Sequence, residues 1–155
     1  MTSSIDAVDR RILSALQADG RIPVTTLSER VGLSPNAVAE RMRRMQRAGV
    51  IEGYGIRLSP AALGLTLTAF IEVKLERIAA DVFDQFATAI RDLPAIEECH
   101  MVAGGFDYLL KTRHRDMDAY RAFLSDELLT LPGLRETRTY VVMERVIEAG
   151  APRLP

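Results

Sequence analysis

Leu27-Ser28-Glu29-Arg30-Val31-Gly32-Leu33-Ser34-Pro35-Asn36 runs without a break into a segment carrying Arg41, Arg43, Arg44 and Arg47. Leu27 and Val31 lie one helical turn apart and can face a common core. Gly32 supplies the left-handed conformation that ends a helix, and Leu33 plugs the corner. Ser34 offers a side-chain N-cap, and Pro35 fits the first helical position, where a missing N–H costs nothing. The spacing predicts two short helices joined by a glycine turn, the second beginning at Ser34 or Pro35. Along that second helix Val38, Met42 and Met45 fall at i, i+4 and i+7 and make one apolar stripe. Asn36, Glu40, Arg43, Arg44 and Arg47 project from the other side.

A helix-turn-helix places its second helix in the DNA major groove, with the N-terminal residues nearest the base edges. Ser34, Asn36, Ala37 and Glu40 are therefore the expected readers of sequence, while Arg43, Arg44 and Arg47 grip phosphates and Arg41, nearer the flank, serves either purpose. Glu40 has an equal alternative in pairing with Arg43 or Arg44 along the helix, worth only ~0.2–0.5 kcal/mol. The plain alternative for the whole segment is a surface helix whose arginines are merely solvated. The residues before it weaken that alternative. Ile5, Val8, Ile12, Leu13 and Leu16 form an amphipathic first helix that starts near Asp6 and ends at Asp19-Gly20, so three short helices follow one another.

Charge supports the same division. The 155-residue chain carries a net charge of −1 and is no polycation, and its 48% hydrophobic content suits one domain or two small ones. Residues 1–60 hold nine Arg, no Lys and six acids, a net of +3, whereas residues 61–155 hold eleven basic and fifteen acidic residues, a net of −4. A basic module joined to an acidic one fits a nucleic-acid reader attached to something else. Met1 to Asp6 contains no apolar signal region, no run approaches the ~18 apolar residues of a membrane span, and the single Cys99 has no intramolecular disulfide partner. These features predict a cytoplasmic, nucleoid-associated protein without membrane contact. Gly150 to Pro155 reads as a frayed terminus.

Gly49 closes the second helix of the pair. Val50-Ile51 and Ile56-Arg57-Leu58, around Gly53 and Gly55, read as short strands of a connector, and Ser59-Pro60 marks the boundary between a DNA-binding domain at 1–60 and a second domain at 61–155. The second domain contains a weak repeat. Leu93-Pro94-Ala95-Ile96-Glu97-Glu98 matches Leu131-Pro132-Gly133-Leu134-Arg135-Glu136 at an offset of 38 residues. The same offset pairs Val82 with Tyr120, Phe86 with Leu124 and Ile90 with Leu128 on helix faces, and Phe70-Ile71 with Tyr108-Leu109 in strands. Leu67, Ala69, Ile71, Val73 and Leu75 alternate as a half-buried strand does. Two strand-helix-strand halves give β-α-β-β-α-β, a ferredoxin-like sheet with helices on one face. The whole chain is thus an α+β protein with an all-α, winged-helix-like N-terminal domain, and the bare sheet face calls for a dimer or larger assembly.

Between the halves sits His100-Met101-Val102-Ala103-Gly104-Gly105-Phe106-Asp107-Tyr108. By itself this is a tight hairpin, and it lacks the spacing of a phosphate-binding loop. An alternative is that its free backbone N–H groups face the carboxylate of a zwitterion while Asp107 faces the ammonium.

The residues Asp9-Arg10-Arg11-Ile12-Leu13, Leu27 through Pro35, Gly49-Val50-Ile51, Glu98 through Val102, Phe106 through Thr112, Leu131-Pro132-Gly133 and Thr137 through Met143 resemble the Lrp/AsnC, or feast/famine, transcription regulators over nearly the whole chain, and most resemble the leucine-responsive branch. The resemblance implies a DNA-binding domain, a ferredoxin-like amino-acid-sensing domain, homodimers built through that domain, and rings of dimers, commonly octamers. It implies double-stranded DNA and a free amino acid as partners and no cofactor. It also implies that the effector binds between subunits near Gly104, Gly105, Phe106 and Asp107, near the last strand at Thr137, Thr139, Tyr140, Val141 and Val142, and near Met117. This chain departs from the leucine-responsive pattern at Gly105, where that branch usually has an acid, so the side chain it accepts stays open.

Two other classes compete. Ferredoxin-like dimers also house isomerases and cofactor-free monooxygenases, for which His100 or His114 would be the titratable group, and a stand-alone amino-acid sensor would act on proteins. Cys99 and His100 are neighbours on a strand and point to opposite faces, so they make no metal site together. A non-enzyme is expected, because an enzyme has no use for the helix-turn-helix.

Overall fold

The computed structural model describes residues 5–76 and 81–147, so the expected fraying from Gly150 lies outside them. The chain divides into two compact units at Arg57 and Leu58.

The first unit is three helices, α1 (Ala7–Ala18), α2 (Val24–Val31) and α3 (Pro35–Arg47). Local chemistry sets the starts of α1 and α3. Asp6 caps α1 by accepting the Asp9 N–H at 2.8 Å, and Asp9 returns a bond to the Asp6 N–H at 3.2 Å, a reciprocal capping box. Gly32 ends α2 at φ +71°, the Ser34 hydroxyl accepts the Ala37 N–H at 3.3 Å, and Pro35 opens α3. Gly49, at φ +70°, closes α3 in a Schellman arrangement, with the Val50 N–H donating to the Met45 carbonyl at 2.9 Å and the Gly49 N–H to that of Gln46 at 3.0 Å. The apolar stripes meet in a core of Ile12, Leu13, Ile22, Leu27, Val31, Val38 and Met45, with Val8, Leu16, Leu33 and Met42 packed around it. Burying each large aliphatic side chain contributes about 1.5–3 kcal/mol.

The connector differs from its sequence reading. Neither Val50-Ile51 nor Ile56-Arg57-Leu58 forms a strand. A strand needs a neighbour to take its N–H and C=O groups, and within one chain none of the described residues lies alongside. Tyr54, Ile56 and Leu58 stand exposed.

The second unit runs β1 (Leu67–Leu75), α4 (Val82–Ala89), β2 (Ile96–Met101), β3 (Tyr108–His114), α5 (Met117–Asp126) and β4 (Leu134–Val141), with short 3-10 turns at Ile90–Asp92 and Leu128–Thr130. The sheet order is β2-β3-β1-β4, all antiparallel, which is the ferredoxin-like arrangement. Ala69, Ile71, Val73 and Leu75 point to the helices, where they join Phe86, Ile90, Tyr108, Leu110, Tyr120, Phe123 and Leu128 in one core. Phe86 and Tyr108 pack as a tilted pair with ring centroids 4.9 Å apart.

The 38-residue offset holds for the helix faces and fails for the strand face. Val82 and Tyr120, and Ile90 and Leu128, are buried pairs, but exposed Phe70 is matched to buried Tyr108. Ile71 instead stands opposite Leu110 across the ladder. Strand faces repeat every two residues, so one residue more or less between the halves flips the face.

Candidate functional site

Asn36, Glu40, Arg43 and Arg47 recur at i, i+4, i+7 and i+11 and form one exposed stripe along α3. Ser34 and Asn36 are exposed at the tip, and Ala37 is half-buried beside them. Glu40 sits between two arginines: Arg47 donates to its Oε1 at 3.0 Å, and Arg43 Nη1 lies 3.3 Å from Oε2. The Arg47 hydrogen bond above all holds the Glu40 carboxyl below its ordinary value. Of its two pairings weighed from sequence, Glu40 takes Arg43 and not Arg44. Such exposed pairs are screened by water and stabilise little, so the stripe is loosely held and open to a ligand.

Arg41 and Arg44 lie elsewhere. They share with Ala37 a second stripe, about a quarter turn round the helix, and meet the carboxylate of Asp9. Asp9 is fully buried, and the sequence reading gave it no part in the site. Its place three residues after Asp6 signals a helix cap, while its burial depends on α1 and α3 crossing at that point.

The effector set divides in two. Gly104 to Asp107 form the turn between β2 and β3. Asp107 is 9% exposed, its Oδ2 accepts the Leu75 N–H at 2.8 Å, and its own N–H donates to the Val73 carbonyl at 2.9 Å. The carboxylate foreseen for an ammonium thus also fastens the turn to the end of β1. Thr137 pairs with Val73 at that same end. Met117 heads α5, beyond the far end of β3, some 20 Å away along the strand. Tyr140 pairs with Phe70 and Val141 with Ala69, while the Val142 N–H donates to the Thr68 carbonyl at 2.9 Å, so all three share the end of Met117. Thr139 stands between the ends, its hydroxyl 2.5 Å from that of Tyr120. One chain does not bring these residues together.

A cleft of about 160 Å³ beside the turn is formed by Gly105 and Phe106, both foreseen from the sequence, with Glu72, Lys74, Glu136 and Arg138, which sequence reasoning missed. The signal was the polar half of the β1 alternation. Tyr140 donates to Glu72 Oε1 at 3.0 Å on this bare face. An added Cβ at Gly104 or Gly105 meets nothing within 4 Å, so the loop is open above both. Among the described residues no cluster of three His, Cys, Asp or Glu is placed to hold a metal, and no helix is long and apolar enough to cross a membrane.

A capped reading helix on a three-helix core, joined to a ferredoxin-like unit with a polar cleft, defines a DNA-binding regulator with a ligand-binding domain. Residues 5–46 match the AsnC-type helix-turn-helix domain and residues 68–152 the Lrp/AsnC ligand binding domain. The chain belongs to the Lrp/AsnC family of transcription regulators. It is similar to the leucine-responsive regulatory protein of Escherichia coli (strain K12), with 56% identity over 146 residues that cover 94% of this chain and 89% of that one. Among solved structures, a transcriptional regulator of Neisseria meningitidis in complex with L-methionine superposes with a TM-score of 0.92 at 33% identity, over 97% of each chain. A feast or famine regulatory protein of M. tuberculosis complexed with L-methionine gives 0.85 at 30% identity, covering 96% of this chain and 99% of that one.

Proposed function

We propose that this regulator reads a palindromic DNA site as a homodimer and that a free amino acid, bound between copies, changes its assembly or its hold on DNA. Residues 1–60 carry the reading and residues 61–155 the sensing and oligomerisation, with rings of dimers up to octamers. Ser34, Asn36, Ala37 and Glu40 approach base edges, and Arg43 and Arg47 take phosphates. Two copies of α3 on successive major-groove faces favour half-sites one helical turn, or a multiple of it, apart.

The observation that carries the effector reading is the division of the candidate residues between the two ends of one sheet. Gly104 to Asp107 with Thr137, and Met117 with Tyr140 to Val142, make a single site only when a second copy places one end against the other. L-methionine in the relatives supports an amino acid as the ligand class, and the open loop at Gly105 leaves room for an apolar side chain.

A thermal-shift panel of the twenty amino acids, followed by gel shift and sedimentation with any hit, tests this. A hit that raises the melting temperature and changes DNA affinity, footprint or oligomer size supports the reading, since a ligand moves an equilibrium only through differential affinity. An effector that binds and changes none of the three overturns it.

A further inference from the structure

The side chain of Asp9 is 1% exposed, and both of its oxygens face α3. Arg41 Nη1 lies 2.8 Å from Oδ1, Arg44 Nη2 lies 2.5 Å from Oδ2, and Arg41 also reaches Asp6 Oδ2 at 2.6 Å. Two of the four arginines on the reading helix are thus committed to the N-terminus of α1, while Arg43 and Arg47 rest only on exposed Glu40.

We propose that Asp9 is a positioning residue for DNA reading: by clamping Arg41 and Arg44 it fixes the seating of α3 and keeps two charges off the phosphates, and so raises sequence discrimination. The inference rests on α3 being the helix that enters the groove. An arginine that left for a phosphate would strand a buried carboxylate, which is costly, so DNA does not draw the pair apart. Phosphate contacts strengthen binding to every sequence alike, whereas base contacts separate one sequence from another. Holding arginines back therefore lowers the indiscriminate share of the affinity. The clamp also explains how an arginine-rich helix can keep its N-terminal residues Ser34, Asn36 and Ala37 in one register.

The test compares two duplexes of equal length, one selected from a random pool by the wild-type protein and one of random sequence, titrated at several salt concentrations. In Asp9→Asn the two arginines lose their counter-charge. The expected result is at least a tenfold fall in the ratio of selected to random affinity, with a salt slope steeper by about one to two units, near 0.9 for each phosphate gained. Asp9→Asn combined with Arg44→Gln, an amide against an amide, restores part of the ratio and of the slope. Arg44→Gln alone leaves the slope unchanged, because Arg44 makes no phosphate contact. An unchanged ratio in Asp9→Asn, or an equal loss on both duplexes with no change in slope, overturns the proposal. Should Asp9→Asn not fold, Arg44→Gln decides, and a slope flatter by about one unit overturns the proposal. A wild-type protein that does not tell the duplexes apart overturns the reading of α3 itself, before any variant is compared.

Discussion

Single side chains here divide into those a short window of sequence explains and those it does not. Ser34, Pro35 and Gly49 act through their own backbone and immediate neighbours, and each performs in the structure the role its type and position announce. Asp9 and Asp107 do not read so simply. Both are acids whose surroundings arrive from far along the chain, from α3 in one case and from the end of β1 in the other. His114 is of the same kind. It is buried among the rings of Tyr120 and Phe123, with centroids 5.4 and 4.9 Å away, and its Nε2 has no hydrogen-bond partner among the described residues. Burial pushes its pKa down from 6.5. The native state then favours the neutral ring, while the unfolded chain takes up a proton as pH falls through about 6.5, so this residue removes stability on acidification and stops doing so below its native pKa. The expected outcome is a urea midpoint that drops more between pH 7.5 and 5.5 in the wild type than in His114→Leu. Equal drops would show that other groups set the pH dependence.

Helices and strands were legible to different degrees, for a physical reason. A helix satisfies its own hydrogen bonds, so capping residues and a 3.6-residue period suffice to locate α1 and α3, while α2 was marked by its glycine end and not by its start. A strand is completed by another strand. The alternation in Leu67 to Leu75 marked β1 correctly because that strand lies at the centre of the sheet, between β3 and β4. The connector residues, equally β-prone, form no ladder because nothing among the described residues pairs with them. The repeat found the helices, whose buried pairs keep the 38-residue offset, and misjudged which strand face is buried, since one residue more or less between the halves inverts a pleat. How α4 docks on the entry to β4 was not readable at all. Gly133 has φ +70°, and a Cβ built there falls 2.0 Å from Cγ2 of Val82, the first residue of α4. Val82 is stiff at χ1, so it has little room to yield. Gly133→Ala is expected to cost about 1–3 kcal/mol by overpacking beyond its backbone strain. Gly64→Ala, also at positive φ but with nothing within 4 Å, carries the strain alone. Chemical denaturation of the two variants measures the difference, and equal losses would remove the contact with Val82 from the account.

For the molecule as a whole, composition allowed one domain or two small ones and the acidic-basic division read as two; the family models match residues 5–46 and 68–152. The candidate effector residues were the least legible feature. Their spacing says which lie on β4 or in the turn, but not that the sheet sets them at opposite ends, because that follows from strand direction and not from any local pattern. The connector between the modules has a consequence of another kind. Tyr54, Ile56 and Leu58 are 50%, 82% and 62% exposed on backbone that belongs to no ladder. An extended, accessible backbone is what a protease's binding cleft requires, whereas the arginines of α1 and α3 are guarded by helical hydrogen bonds. Brief digestion with trypsin is expected to cut first after Arg57, as intact-mass measurement would show; a first cut within α3 would contradict this. One severed peptide bond there would part the residues that match the helix-turn-helix domain from those that match the ligand binding domain, each keeping its own fold.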